Sequence, residues 1–107
     1  MVVQSYRDLQ DVGVNKLVPF YIMSSYLYYK LDVSIFNDHE FNDICQRLKQ
    51  EYTNITHPHK EYVKLHNLEA STGFNIKFTK LMKHASIMWY ETVTGNIIDN
   101  KKIAVFG

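Results

Sequence analysis

HASIMWYET, residues 84–92, is the stretch whose reading decides the fold class. Ala85, Ile87 and Trp89 alternate with Ser86, Met88 and Tyr90. In an extended chain successive side chains point to opposite faces, and β-branched and aromatic residues suit a pleated surface. The alternation predicts a strand over 84–92. Downstream, Thr94-Gly95-Asn96 is a turn signal leading to Ile97 and Ile98, and Asp99-Asn100 is a second one before Ile103, Val105 and Phe106. Upstream, Ser71-Thr72-Gly73 is a break, after which Phe74, Ile76 and Phe78 alternate as a short strand or edge segment. Together these segments predict a small antiparallel sheet in the C-terminal part.

The N-terminal part has the other period. Phe20, Met23, Leu27 and Leu31 fall on one helical face, with Tyr21, Ser25 and Tyr28 beside them. Asn15 is placed to cap this helix, with Pro19 in its first turn, so it runs over about 16–31. Tyr26 and Tyr29 put further rings around the cylinder, more than one small core can take. Asp32 to Phe36 reads as a connector. Asn37 and Glu40 have capping-box spacing, and Asp38 suits the positive end of a helix dipole. A second helix therefore spans about 38–54, with Phe41, Ile44, Cys45, Leu48, Tyr52 and Ile55 as its apolar stripe. An antiparallel helix pair packed with a small antiparallel sheet makes the expected class α+β. One domain over 1–107 is expected, with a helical part at 1–58 and a basic, sheet-forming part at 59–107.

The bulk numbers exclude more than they select. A net charge of +1 supplies no strong field toward nucleic acid or an anionic membrane. Cys45 is the single cysteine, so no internal disulfide can form, and its place in the second helix's stripe reads as core. Met1 to Gln10 contains Arg7 and Asp8 without a long apolar run, so it does not read as a secretory leader, and Leu17 to Leu31 is too short and too polar to span a bilayer. A cytoplasmic location without membrane contact is the expectation. Eight Tyr and six Phe in 107 residues are many, and such rings serve either a small core or a binding surface.

No catalytic set assembles. Lys30-Leu31-Asp32-Val33 starts like a nucleotidyltransferase Lys-x-Asp-Gly signature but has Val in the fourth place. His57-Pro58-His59 with His66 lacks the third and fourth ligands at zinc spacing. Neither a Gly-x-Gly-x-x-Gly nor a Walker-type loop is present. Between Thr56 and Lys83, Lys60, Lys64, Lys77, Lys80 and Lys83 stand against Glu61 and Glu69, five minus two or +3. With Tyr62, Phe74 and Phe78 nearby, these lysines are candidates for phosphate contacts with DNA.

Tyr26-Leu27-Tyr28-Tyr29-Lys30-Leu31-Asp32-Val33-Ser34-Ile35-Phe36-Asn37-Asp38-His39-Glu40-Phe41-Asn42 resembles the N-terminal Ia domain of NAD-dependent DNA ligases. That family has a Tyr-x-Tyr-His run on one helix, a short connector, an Asp-x-Glu-Tyr-Asp run opening the next helix, and a later His-Pro, which His57-Pro58 matches. The resemblance covers about a third of the chain, from the first helix to Pro58, and extends to small phage-encoded proteins of ligase-related type. It implies an NMN-binding surface, with NMN or NAD as the implied ligand, built from Tyr28, Tyr29, Asp38, Phe41 and Asn42. Tyr28 and Asp38 keep the family's residues. Tyr29 stands where the family has His, Phe41 where it has Tyr, and Asn42 where it has Asp. Each charge-assisted bond lost this way costs roughly 1.5–3 kcal/mol.

Three functions are therefore expected in competition. The first is a non-catalytic interaction or regulatory protein on an Ia-like scaffold, acting on a protein partner such as a nucleic-acid enzyme. The second is a nicotinamide nucleotide (NMN or NAD) binding module. The third is a DNA-binding accessory protein using the five lysines. A self-contained enzyme is not expected. Trp89 and Ile103 to Phe106 are candidates for an exposed edge that pairs two copies as a homodimer.

Overall fold

The computed structural model describes residues 3–98, and among them there is no strand. Four helices carry the fold: α1 (Val14–Leu31), α2 (Asp38–Gln50), α3 (Leu65–Glu69) and α4 (Lys80–Thr94). Short 3-10 turns cover Tyr6–Leu9, Tyr52–Asn54 and Pro58–Tyr62. The α+β expectation is thus corrected: the helix pair is present, and helices rather than a sheet complete the core.

The stretch 84–92 is the middle of α4. Its period-two pattern is degenerate, because both alternating sets contain apolar residues. The helical period also fits: Met82, Ser86 and Trp89 are buried and Val93 half-buried, at steps of four, three and four. Both ends are capped. The Met82 N–H donates to Thr79 Oγ1 at 3.2 Å. Gly95 adopts φ 73° and its N–H donates to the Glu91 carbonyl at 2.9 Å. The Thr94-Gly95-Asn96 signal is therefore a left-handed helix stop rather than a hairpin turn. The Phe74–Phe78 alternation is irregular backbone: Ile76 is buried, and Phe78 meets the Tyr26 ring edge-on at 5.1 Å. Ile98 is buried, its N–H donating to Glu91 Oε2 at 2.9 Å. Trp89 is only 8% exposed, and its indole N–H donates to the Val3 carbonyl at 2.7 Å, so it forms no open edge. Ile103 to Phe106 lie outside the described residues.

Helix α1 is the central element. Its buried residues include Leu17, Tyr21, Ile22, Tyr26, Leu27 and Leu31, which point in several directions around the axis. That is what a helix covered from more than one side requires. α2 packs along one flank and α4 along another. The surplus of rings is resolved in this way: Tyr21 and Tyr26 are fully buried, Tyr29 is half-buried, and Tyr28 is 47% exposed. Gly13, not Asn15, caps α1, and Pro19 falls in the second turn. Asn15 instead clamps Thr56, its Nδ2 donating to Thr56 Oγ1 and its Oδ1 accepting from the Thr56 N–H, both at 2.8 Å.

α1 ends at Asp32, held left-handed at φ 55°. The connector then delivers Asn37, whose Oδ1 accepts from the Glu40 N–H at 2.8 Å while Glu40 Oε1 accepts from the Asn37 N–H at 2.9 Å. The expected capping box is therefore formed. α2 stops at Gln50, four residues short of the expected end, and Tyr52–Asn54 tightens into a 3-10 turn. Ile44, Cys45, Leu48 and Ile55 bury the expected stripe. On the flank of α2, Arg47 donates to the carbonyls of Leu9 (2.8 Å) and Val12 (2.9 Å). The Tyr6 hydroxyl donates to Asp43 beside it. These bonds pin the N-terminal turn to α2.

Candidate functional site

The α1–α2 junction leaves a cavity of about 300 Å³. Tyr28 and Tyr29 come from the last turns of α1, and Ser34, Ile35 and Phe36 from the connector. Asp38, Phe41 and Asn42 come from the first turns of α2. Ser24 and Ser71 complete the lining. All five residues singled out by the ligase resemblance, Tyr28, Tyr29, Asp38, Phe41 and Asn42, thus meet at one cavity. The local reason is simple. A short connector reverses the chain, so the C-terminal end of one helix faces the N-terminal end of the next.

The walls are held from behind. Phe41 stacks on buried Tyr21, with ring centroids 5.8 Å apart and planes 24° apart. The Tyr21 hydroxyl donates to the Thr72 carbonyl at 2.6 Å, and burial pushes its pKa well above the ordinary tyrosine value. Tyr29 shares a 2.8 Å hydrogen bond with Thr72 Oγ1, and its ring meets Tyr28 and Phe74 edge-on at 4.9 and 5.7 Å. Ser71, at φ 53°, donates its hydroxyl to Asn42 Oδ1. The loop from Ala70 to Thr79 is therefore stitched to both helices at the cavity. Gly73 permits this approach, because a Cβ there would stand 1.9 Å from Ser25 Oγ.

Ser24, Ser34, Ile35, Phe36 and Ser71 line the cavity but are absent from the residues the sequence pointed to. Ser34 to Phe36 lie inside the resembling stretch, so their place in the connector was the available signal. Ser71 had none, because a long-range fold-back delivers it. Ser24 is 8% exposed, and its Oγ has no hydrogen-bond partner among the described residues. A buried hydroxyl without a partner is uncommon in folded proteins.

The five lysines come from several segments of the chain, from the Pro58–Tyr62 turn to α4. Lys64 and Lys77 share a groove with Glu61, Tyr62, Asn75 and Ile76. The Lys60 ammonium lies over the Tyr52 ring, 4.8 Å from its centroid. Lys80 and Lys83 stand in the first turn of α4. His57 Nδ1 accepts the His59 N–H at 3.0 Å, and burial followed by the neighbouring His59 lowers the His57 pKa. Among the described residues no group of three or more His, Cys, Asp or Glu could hold a metal ion. Cys45 is fully buried and its thiol is pushed up to about 12 by that burial, as a core residue rather than a nucleophile requires. Among the described residues no helix is long and apolar enough to cross a membrane. Comparison with protein-family models, with curated proteins and with solved structures finds no match.

Proposed function

We propose that this chain is a non-catalytic binding module whose α1–α2 cavity takes the nicotinamide end of a ligand of the NMN or NAD class. The observation that carries this reading is convergence: Tyr28, Tyr29, Asp38, Phe41 and Asn42, chosen from sequence resemblance, line one cavity. Its volume of about 300 Å³ lies at the low end for small-molecule sites, which suits a ring and its sugar. The adenylate half of NAD would project outward. Tyr28 and Phe41 offer rings for stacking, and Asp38 offers a carboxylate to ribose hydroxyls or to a positive ring. Tyr29 serves as a wall, since its hydroxyl is engaged by Thr72.

Calorimetric titration with nicotinamide riboside, NMN and NAD tests the proposal. Binding of at least one of them is expected. Tyr28→Ala should weaken it about 3- to 10-fold, the worth of one aromatic stack, without affecting folding, because Tyr28 is 47% exposed. No heat with any of the three at millimolar concentration would refute the reading.

A further inference from the structure

We infer that the cavity takes its ligand as a flat organic cation and makes no phosphate contact. The inference rests on the cavity being the ligand site, as proposed above, and concerns what that site selects. Three observations carry it.

The first is charge. Among the described residues, Asp38 is the one acidic residue in the lining, and no Lys, Arg or His is part of it. A phosphate entering there would meet a carboxylate and no counter-charge, whereas a cation would meet an opposite charge. The second is the α2 N-terminus, the usual backbone anion site. Here the Asn37 side chain already occupies one of its donors, the Glu40 N–H, at 2.8 Å. Asp38 and Glu40 place two carboxylates in the same first turn, opposing the dipole's pull on an anion. The third is the rest of the lining. Tyr28, Tyr29 and Phe41 bring three aromatic rings, whose π faces attract cations. Ser24 backs the lining with a hydroxyl that is more than nine-tenths buried and has no protein partner among the described residues.

An N-alkylated pyridinium without a phosphate has this chemistry. Its reduced, dihydropyridine form keeps the shape and loses the charge, so the site separates the two redox states of one ring. Competition calorimetry with nicotinamide riboside, its dihydro form and NMN reads each property. The riboside is expected to bind at least about 3-fold tighter than NMN and about 10-fold tighter than its dihydro form, the scale of one charge contact in a partly wet site. Asp38→Asn should weaken the riboside about 10-fold and narrow its advantage over NMN. NMN binding more tightly than the riboside, or the dihydro form binding equally well, would overturn the inference and leave the proposed function standing. Failure of every nicotinamide ligand to bind would remove both.

Discussion

Replacing Gly73 with alanine should loosen the loop that closes the cavity, and the structure sets the size of the effect. The new Cβ would stand 1.9 Å from Ser25 Oγ, 2.6 Å from Ser25 Cβ and 3.2 Å from Ile76 Cδ1. Ordinary contact needs about 3.5 Å, so the loop and α1 must separate by more than ~1 Å. Ser25 cannot turn aside cheaply. It is fully buried, and its hydroxyl donates to the Tyr21 carbonyl at 2.7 Å. Displacing the loop strains the Tyr21–Thr72 and Tyr29–Thr72 bonds at 2.6 and 2.8 Å. Overpacking of this kind costs about 1–3 kcal/mol and each weakened bond about 1 kcal/mol. Gly73→Ala should therefore lose about 2–4 kcal/mol in urea unfolding followed by circular dichroism. Ser25→Gly removes both clashing atoms at about 1 kcal/mol of helix propensity. The double variant should be more stable than the sum of the singles by over ~1 kcal/mol. A Gly73→Ala protein within ~0.5 kcal/mol of the parent, or strictly additive singles, would refute the packing described at this wall.

Further consequences follow from single residues. Asp32 holds a left-handed conformation at φ 55° and places a negative charge at the α1 C-terminus, so Asp32→Gly should stabilise by about 0.5–1 kcal/mol and raise the melting temperature by a few degrees. Arg47→Met removes the charged donor from the Leu9 and Val12 carbonyls and should cost about 2 kcal/mol by chemical denaturation, with early exchange of amides in Tyr6–Leu9. Burial raises the Cys45 thiol to about 12 in the folded chain, above its unfolded value. The stability this contributes is complete below the unfolded pKa and is lost as pH rises through the folded one. At pH 8 the native thiol should resist an aromatic disulfide reagent and react at once in denaturant; rapid native reaction would contradict its burial.

How much of this was legible in the sequence depends on the range of the interaction. α2 was, because its signals are local: Asn37 and Glu40 cap each other, and Ile44, Cys45 and Leu48 repeat at helical spacing. The α1 cap was not, because Asn15 is drawn off by Thr56, forty-one positions away. α4 was misread as a strand because its alternation is ambiguous. Resolving it needed the longer frame from the Thr79 cap to the Gly95 stop, with Met82, Ser86, Trp89 and Val93 inside it. The cavity was half legible. Tyr28, Asp38 and Phe41 meet through a short helix–connector–helix unit, which sequence spacing encodes. Ser71 reaches Asn42 from twenty-nine positions away, through a loop whose path only tertiary packing determines.

The central claim is that the α1–α2 junction is a ligand site, and amide shift mapping tests it most directly. A ¹⁵N-labelled chain would be titrated with nicotinamide riboside. Saturable shifts should gather at residues 28–29, 34–42 and 71–73, leaving the groove between Lys64 and Lys77 unmoved. Shifts centred on that groove or on α4, or a spectrum unchanged at millimolar ligand, would contradict the account.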